Sequence, residues 1–133
     1  MRVFLDTNVL VSGFATRGLS ADVVRHVMAE HDLVLAEVVL TELRRVLLDK
    51  FGLPARRVGE IEVLLRRYPV EPRPTEPTGI EVRDIDDAWV LASALAAEAE
   101  VLVTGDKDLL DVQDEVDALR ILTPRAFWEA VRG

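Results

Sequence analysis

Cysteine is absent from the 133 residues, and several kinds of site are excluded with it. Without thiols the chain has no disulfides, no thiolate nucleophile, and no cysteine zinc or iron–sulfur centre. Aromatic residues are also few, at 5% of the sequence, which leaves little for stacking against nucleic-acid bases. The lack of cysteine fits a reducing compartment, and we expect a cytoplasmic protein.

A hydrophobic run long enough to cross a bilayer is missing as well. The longest apolar stretch, around residues 88–97, is about half the roughly 20 residues that a spanning helix needs. Near the N-terminus, Asp6 stands where a signal peptide would need its apolar segment. We therefore expect no export signal and no membrane partner.

The composition is that of a compact folded protein, with half of the residues hydrophobic and 30% charged. A chain of this length typically closes around one core, so we expect a single domain over residues 1–133. Asp and Glu number 24 against 16 Lys and Arg, which gives a net charge of −8. Taken alone, that balance argues against nucleic acid as a partner, because phosphate binding usually requires a basic surplus.

Short apolar runs alternate with helical patterns along the chain. The runs predict strands at residues 3–5, 33–36, 101–104 and 120–122. Helices are predicted over residues 9–15, 21–30 after an N-cap at Ser20, 37–51, 54–68, 86–97, and from Pro124 after an N-cap at Thr123. Residues 69–79 hold four of the six prolines and are predicted to be an extended connection. Buried strands that alternate with helices predict an α/β fold, a three-layer α/β/α sandwich with a central, mostly parallel sheet.

Several carboxylates lie at the ends of these elements. Asp6 and Asp106 each follow a predicted strand, and the carboxyl edge of a parallel sheet is where α/β proteins bind ligands. Glu42 borders the apolar side of its helix, and Asp87 lies at the start of the buried helix, for which Asp86 is the predicted N-cap. Converging carboxylates repel one another unless a cation intervenes, and oxygen ligands favour Mg²⁺ or Mn²⁺ over zinc.

Each carboxylate also has a purely structural explanation. Asp6 and Asp87 could cap helices, Glu42 could pair with Arg45 or Arg25, and Asp106 could stabilise a turn. Their joint occurrence at strand and helix ends favours a shared site over four separate explanations.

Other chemistries find little support. His26 and His31 are five residues apart, which does not stack them as a ligand pair on a helix, so we expect solvated histidines. No serine lies in a nucleophile elbow, and neither glycine-rich phosphate-binding motif is present. Trp89 and Trp128 lie in apolar helical stretches and are predicted to be core residues.

Five segments, in this order, resemble the motifs of the PIN-domain family. They are VFLDTNVL at residues 3–10, LTEL at 40–43, the Asp-x-x-Asp of 84–87, LVTGDKDL at 102–109 and ILTP at 121–124. The resemblance covers nearly the whole chain and is greatest to the toxins of VapBC-type toxin–antitoxin systems. It implies a three-layer α/β/α fold and a Mg²⁺- or Mn²⁺-dependent ribonuclease.

The resemblance also implies roles for individual residues. Carried over by position, the catalytic and metal-binding acids would be Asp6, Glu42, Asp87 and Asp106. The residues that would support them are Asn8, Asp84, Thr104 and Asp108. Because both acids of the Asp-x-x-Asp segment fit the pattern, Asp84 is an alternative to Asp87 as the third ligand. The reaction would be attack of a metal-activated water on phosphorus, leaving a 5′-phosphate and a 3′-hydroxyl, with one or two metal ions.

The net charge conceals an uneven distribution. Residues 43–73 carry eight Arg and Lys against four Asp and Glu, a local balance of +4, whereas residues 81–117 carry twelve acids against two bases, a balance of −10. A basic helical segment beside an acidic crevice could hold the backbone of RNA. The candidates for that role are Arg44, Arg45, Arg56 and Arg57, and the alternative is an ordinary pair of solvated helix faces.

Partners follow from the resemblance. A toxin of this kind would act on an RNA substrate, form a homodimer, and be covered by an antitoxin that lays a segment across the crevice. Two alternatives are an RNA-processing nuclease outside a toxin–antitoxin system and a PIN fold that binds RNA or protein without cutting, although all four acidic positions are filled. A haloacid-dehalogenase-like phosphatase is disfavoured because Asn8 stands where its second aspartate would be.

Overall fold

The computed structural model describes residues 1–132. The strands are Arg2–Leu5 (β1), Asp32–Ala36 (β2), Val70–Glu71 (β3), Val101–Val103 (β4) and Arg120–Leu122 (β5). The α-helices in this part of the chain are Thr7–Ala15 (α1), Leu19–Glu30 (α2), Glu37–Asp49 (α3), Ala55–Leu65 (α4), Ile85–Ala96 (α5), Lys107–Leu110 (α6) and Pro124–Arg132 (α7). A short 3₁₀ helix spans Gln113–Glu115.

The five strands form one parallel sheet in the order β3-β2-β1-β4-β5, flanked by the helices. Phe4 in the middle of β1 pairs with Val34 of β2 on one side and Leu102 of β4 on the other. The predicted three-layer α/β/α class is confirmed. The chain builds outward from β1 to β3 and then returns to add β4 and β5. The reversal lies between β1 and β4, where doubly wound sheets open a crevice beyond their carboxyl ends.

The strands are apolar without alternation because the sheet is covered on both faces. Val3, Phe4 and Leu5 of β1 are fully buried, and the neighbouring strands contribute residues that are almost as completely enclosed. Helices α1 and α2 approach each other closely at Gly13, where an added Cβ would lie 2.5 Å from the Cγ2 atom of Val24. The absence of a side chain at Gly13 therefore allows α1 and α2 to pack this closely.

Helix boundaries differ from the predictions at several points. The N-cap of α5 is Asp84 and the prediction of Asp86 was wrong: Asp84 has extended backbone angles, and its Oδ1 accepts a hydrogen bond of 2.9 Å from the Asp86 amide. Ser20 is not an N-cap either, because α2 begins at Leu19 after Gly18, whose φ of +129° favours glycine. Helices α3 and α4 end at Asp49 and Leu65, short of their predicted ends, and α1 begins at Thr7, two residues early.

The proline-containing connection holds a strand that the sequence did not predict. Val70 and Glu71 pair with Leu35 and Ala36 of β2, and the carbonyl of Pro69 accepts a hydrogen bond of 2.9 Å from the Leu35 amide. Prolines on either side restrict this strand to two residues, and its place at the edge of the sheet agrees with the usual position of proline next to strands. At the other end of the chain, the predicted N-cap of α7 is confirmed, because the Thr123 hydroxyl accepts a hydrogen bond from the Ala126 amide at 3.0 Å.

The two histidines are not independent solvated side chains, which corrects their prediction. Helix α2 ends at Glu30, and the extended backbone of His31 folds its ring back toward His26, so that their Nε2 atoms are 3.2 Å apart. The ring of His26 also meets the ring of Trp128 edge-on, at 5.7 Å between centroids. Trp128 was predicted to be a core residue. In the structure it packs against the core but is only partly buried.

None of the helices within residues 1–132 combines the length and the apolar character that a membrane crossing requires.

Candidate active site

Two aspartates occupy the junctions between a strand and the helix that follows it, at the reversal between β1 and β4. Asp6 follows β1 directly and caps α1, with its Oδ1 accepting a hydrogen bond of 2.7 Å from the Thr7 amide. Asp106 follows β4 and caps α6, with its Oδ1 accepting a hydrogen bond of 2.9 Å from the Asp108 amide. Because Leu5 and Val103 are in register, the two strands deliver these carboxylates to the same edge.

Thr104 links the two aspartates. Its hydroxyl donates a hydrogen bond of 2.7 Å to Oδ2 of Asp6 and accepts one of 3.0 Å from the Asp106 amide. Thr104 is 0% exposed, so neither interaction competes with solvent. The side chain of Asn8 makes a weaker connection, accepting a 3.4 Å hydrogen bond from the Gly105 amide. Thr104 therefore holds the Asp6 carboxylate, and both Thr104 and Asn8 hold the backbone around Asp106.

Asp87 reaches the same place from the first turn of α5. It is only 7% exposed, and its Oδ2 is buried without a hydrogen-bond partner among the residues that the structure describes. Carboxylate oxygens of Asp87, Asp106 and Asp108 all lie within 4.8 Å of one another. We call these three residues and Asp6 the acidic cluster.

The acidic cluster opens into a cleft of about 120 Å³ that brings together most of the predicted site. The acids that line it are Asp6, Glu42, Asp84, Asp86, Asp87 and Asp106. Glu42 is half-buried and projects from α3, whereas Asp84 is exposed and is committed to capping α5. The structure thus brings Asp6, Glu42, Asp87 and Asp106 to one cleft, while their catalytic and metal-binding roles stay predictions. Asp108, predicted only as a supporting residue, lies within the closest group of oxygens.

Burial and mutual repulsion make ionisation of this cluster unfavourable. Burial, with further contributions from the carboxyl of Asp106, raises the pKa of Asp87 to about 8. Burial also raises the pKa of Asp6, although the hydrogen bonds from Thr104 and Thr7 oppose this effect. The pKa of Glu42 is raised by burial and by the negative charge of Asp6. In the absence of a positive charge, the carboxyls of Asp87, Asp6 and Glu42 therefore retain their protons to higher pH than isolated carboxyls do.

The donor set fits a hard divalent cation. A buried carboxylate oxygen without a partner, Oδ2 of Asp87, lies beside two further carboxylates, and oxygen ligands of this type are those that Mg²⁺ and Mn²⁺ prefer. A cation there would supply the positive charge that the cluster lacks and would satisfy the unpartnered oxygen.

The predicted RNA-binding arginines differ in how they are engaged. Arg44 forms an ion pair with Glu62 of α4, at 2.5 Å, and Arg56 pairs with Glu60 at 3.4 Å. Arg45 and Arg57 have no ion-pair partner within residues 1–132. Only Arg45 lines a groove next to the acidic cleft.

Two residues near the site, Trp89 and Arg73, were not predicted from the sequence to belong to it. Trp89, predicted to belong to the core, is only partly buried and lines a groove of about 350 Å³ beside the acidic cleft. The Cζ atom of Arg73, from the proline-containing connection, lies 4.1 Å from the centroid of the Trp89 ring. A signal was available, because Trp89 is three residues after Asp86 and so shares its side of α5.

Solved structures that share this fold include two with known names. One is VapBC2 from Rickettsia felis bound to a DNA fragment from the promoter, with a TM-score of 0.65, 16% identity, and coverage of 92% of this chain and 98% of that chain. The other is the PIN domain endonuclease Utp24, with a TM-score of 0.51, 18% identity, and coverage of 92% of this chain and 84% of that one. At these identities the likeness establishes the fold alone.

Sequence comparison gives the family. No curated protein matches the chain. The family described as PIN domain matches residues 2–108, which span the strands β1 to β4 and every member of the acidic cluster. This match covers most of the chain, and four of the five family-like segments noted in the sequence contribute residues that line the acidic cleft. The chain therefore belongs to the PIN-domain family.

Proposed function

We propose that the protein is a Mg²⁺- or Mn²⁺-dependent ribonuclease that cleaves single-stranded RNA in the acidic cleft. PIN domains are generally nucleases, and this chain retains a full set of acids in the cleft. Two observations carry the proposal: Oδ2 of Asp87 is buried without a hydrogen-bond partner among residues 1–132, and carboxylate oxygens of Asp87, Asp106 and Asp108 lie within 4.8 Å of one another. Such a cluster is stable in its ionised form only beside a cation.

The residues of the chain divide the work of the reaction. Asp87, Asp106 and Asp108, with Asp6 beside them, would hold the cation. The bound ion would polarise the phosphodiester and lower the pKa of a coordinated water. Asp6 is held rigid by two hydrogen bonds, so its carboxylate would be oriented before substrate arrives.

Glu42 is the acid that we propose as the general base. It lines the cleft but lies outside the closest group of oxygens, and burial raises its pKa toward the range in which a carboxylate accepts a proton efficiently. The attacking water would give up its proton to Glu42 and bond to phosphorus. The bond from phosphorus to the leaving 3′ oxygen would break, and that oxygen would take a proton from solvent. The products would carry a 5′-phosphate and a 3′-hydroxyl.

The basic segment at residues 43–73 supports RNA as the polymer that is cut. Its eight Arg and Lys residues follow Glu42 of the acidic cleft in the sequence, and one of them, Arg45, lines the groove next to the cleft. Guanidinium groups that neutralise phosphates supply most of the affinity for a nucleic acid. We assign Arg45 and Arg57, which have no ion-pair partner within residues 1–132, to this role ahead of Arg44 and Arg56.

We further propose that the protein is the toxin of a type II toxin–antitoxin pair, acting in the cytoplasm as a homodimer and inhibited by an antitoxin. Support comes from the fold likeness to VapBC2, which extends over 98% of that chain. The second candidate is an RNA-processing nuclease, which the likeness to the endonuclease Utp24 favours. A short upstream reading frame whose product binds this protein and relieves growth arrest would support the toxin, and its absence would favour the processing enzyme.

The activity is tested by cleavage of an end-labelled single-stranded RNA with Mg²⁺ or Mn²⁺. We expect cleavage by the wild type, none in EDTA, and none by the Asp6→Asn variant, whose amide oxygen can still accept the Thr7 hydrogen bond and preserve the helix cap. Asp114→Asn, at an exposed position outside the cleft, is the matched control and should cleave normally. Unchanged cleavage by Asp6→Asn would refute the proposal.

A further inference from the structure

The acidic cleft continues into two open grooves. Glu42 lines the cleft and both grooves, so the three form one path across the carboxyl edge of the sheet. The smaller groove, of about 250 Å³, includes Lys50 and the exposed ring of Phe51. The larger one, of about 350 Å³, includes Arg45, Arg73 and Trp89. Its volume is at the lower end of the range of about 300–1,000 Å³ found for ligand pockets.

One wall of the larger groove is formed by an aromatic ring and a guanidinium group. Trp89 is fixed on α5, and the guanidinium of Arg73 lies over its ring at 4.1 Å. Pro72 and Pro74 flank Arg73 and restrict the backbone that carries it. Of the arginines around this groove, Arg66 is bound to Glu37, whereas Arg45 and Arg73 have no ion-pair partner in the described part of the chain.

We propose that this groove is a nucleobase subsite, in which the base of a nucleotide next to the scissile phosphate stacks on the Arg73–Trp89 pair while Arg45 contacts the adjoining phosphate. The inference rests on the ribonuclease function and deepens it by placing one nucleotide of the substrate. Bases of single-stranded RNA are unstacked and readily pack on aromatic rings and guanidinium planes.

The chemistry of the wall favours RNA over a peptide of an inhibitor. A base is neutral and presents a flat face to the stacked pair, and its phosphate is attracted by the unpaired guanidinium groups. The groove also has three carboxylates, but Glu37 is paired with Arg66, and Glu42 and Asp86 belong to the end shared with the acidic cleft. At the Trp89 wall, a basic side chain would instead meet Arg45 and Arg73, which carry the same charge. The acidic cleft at the shared end of the groove, beside Glu42 and Asp86, would receive the phosphate to be cut.

Tryptophan fluorescence tests the contact directly, because the chain has only Trp89 and Trp128. All titrations use the Asp6→Asn background with Mg²⁺, so that RNA binds without being consumed. In the Trp128→Phe variant, where only Trp89 emits, a single-stranded oligoribonucleotide should quench the emission saturably. In the matched Trp89→Phe variant, where only Trp128 on α7 emits, the same titration should leave the emission unchanged.

An abasic scan then locates the base. The substrate is an oligoribonucleotide whose cut position has been mapped with the wild type, and one abasic site is moved along it. Next to the cut, one abasic position should weaken binding roughly 5- to 100-fold, the effect of losing one stacked base. In the Trp89→Ala variant, checked for native circular dichroism, that position should lose no further affinity.

The outcomes separate the subsite from the function. RNA cleavage by the wild type together with unresponsive Trp89 emission, or an abasic penalty that persists in Trp89→Ala, would refute the subsite and leave the ribonuclease intact. Quenching of Trp89 by an arginine-containing peptide but not by RNA would assign the groove to a protein partner and also refute the subsite. Failure of the wild type to cut any single-stranded RNA would refute both proposals.

Discussion

Replacing Asp87 by Asn should stabilise the metal-free protein and at the same time remove most of its response to Mg²⁺. In the folded protein the pKa of Asp87 is raised to about 8 from its ordinary value of 3.8, primarily by burial. At pH 7 the unfolded chain ionises this carboxyl, whereas the folded protein keeps it protonated. Three pH units above 3.8 correspond to roughly 4 kcal/mol of lost stability, at about 1.4 kcal/mol per unit. That figure is an upper limit because side chains around the carboxyl can relax when it ionises, and we expect a gain of at least ~1 kcal/mol from the neutral amide.

The stabilisation by Asp87→Asn should depend on pH in a direction set by the raised pKa of Asp87. Below pH 3.8 the carboxyl of Asp87 is protonated in both states and costs nothing. Between pH 3.8 and about 8 the folded state binds more protons than the unfolded state, so wild-type stability falls as the pH rises. The advantage of Asp87→Asn should therefore be small near pH 4, grow through neutrality, and level off above pH 8.

Urea denaturation in EDTA across this pH range measures the free energy of unfolding of both proteins, with Asp114→Asn as the control for a lost surface charge. Adding Mg²⁺ should then stabilise the wild type, because the ion binds only the folded cluster, and should stabilise Asp87→Asn much less. An Asp87→Asn protein that is no more stable than the wild type at pH 7 without metal would refute the reasoning about burial and repulsion.

Three further variants test other parts of the structure. Asp84→Asn should bind Mg²⁺ nearly as well as the wild type in a calorimetric titration, because Asp84 is an exposed helix cap that Asn can replace. A loss of Mg²⁺ affinity as large as that of the variants at buried aspartates would show that Asp84 is a metal ligand. Thr104→Val should cost about 1–3 kcal/mol in urea denaturation and weaken Mg²⁺ binding, because Asp6 loses a buried hydrogen bond; unchanged affinity would show that this bond does not orient the carboxylate. Gly13→Ala should lower stability by about 1–3 kcal/mol because its Cβ meets Val24, and unchanged thermal unfolding would contradict the close helix contact.

Much of the fold could be predicted because its strands are uniformly apolar and end at polar residues. The sequence of residues 3–6 already indicates a buried strand followed by a carboxylate, and the structure places Asp6 and Asp106 at one edge for the same reason. Strand β3 escaped prediction because two residues between prolines have no periodicity to detect. Its pairing depends on β2, a contact that is remote in sequence.

The site was only partly predictable because it too depends on contacts between residues that are remote in sequence. Helical spacing would place Asp84 and Asp87 on the same side if the helix included both, but whether each is buried depends on where the helix begins and on what packs over it. The structure resolves this difference, with Asp84 as the exposed cap and Asp87 nearly enclosed. Trp89 was misassigned because an apolar helix indicates burial on most sides, while the neighbouring side chain that shares its groove, Arg73, comes from a distant irregular segment.

The most direct test of the central claim is an anomalous-scattering map from crystals of the wild-type protein soaked in Mn²⁺. We expect a peak in the acidic cluster, with oxygens of Asp87 and Asp106 at roughly 2 Å from the ion, and no such peak in crystals of Asp87→Asn. A map without density between these carboxylates, from crystals in which the protein is otherwise unchanged, would contradict the assignment of the cluster as a metal centre.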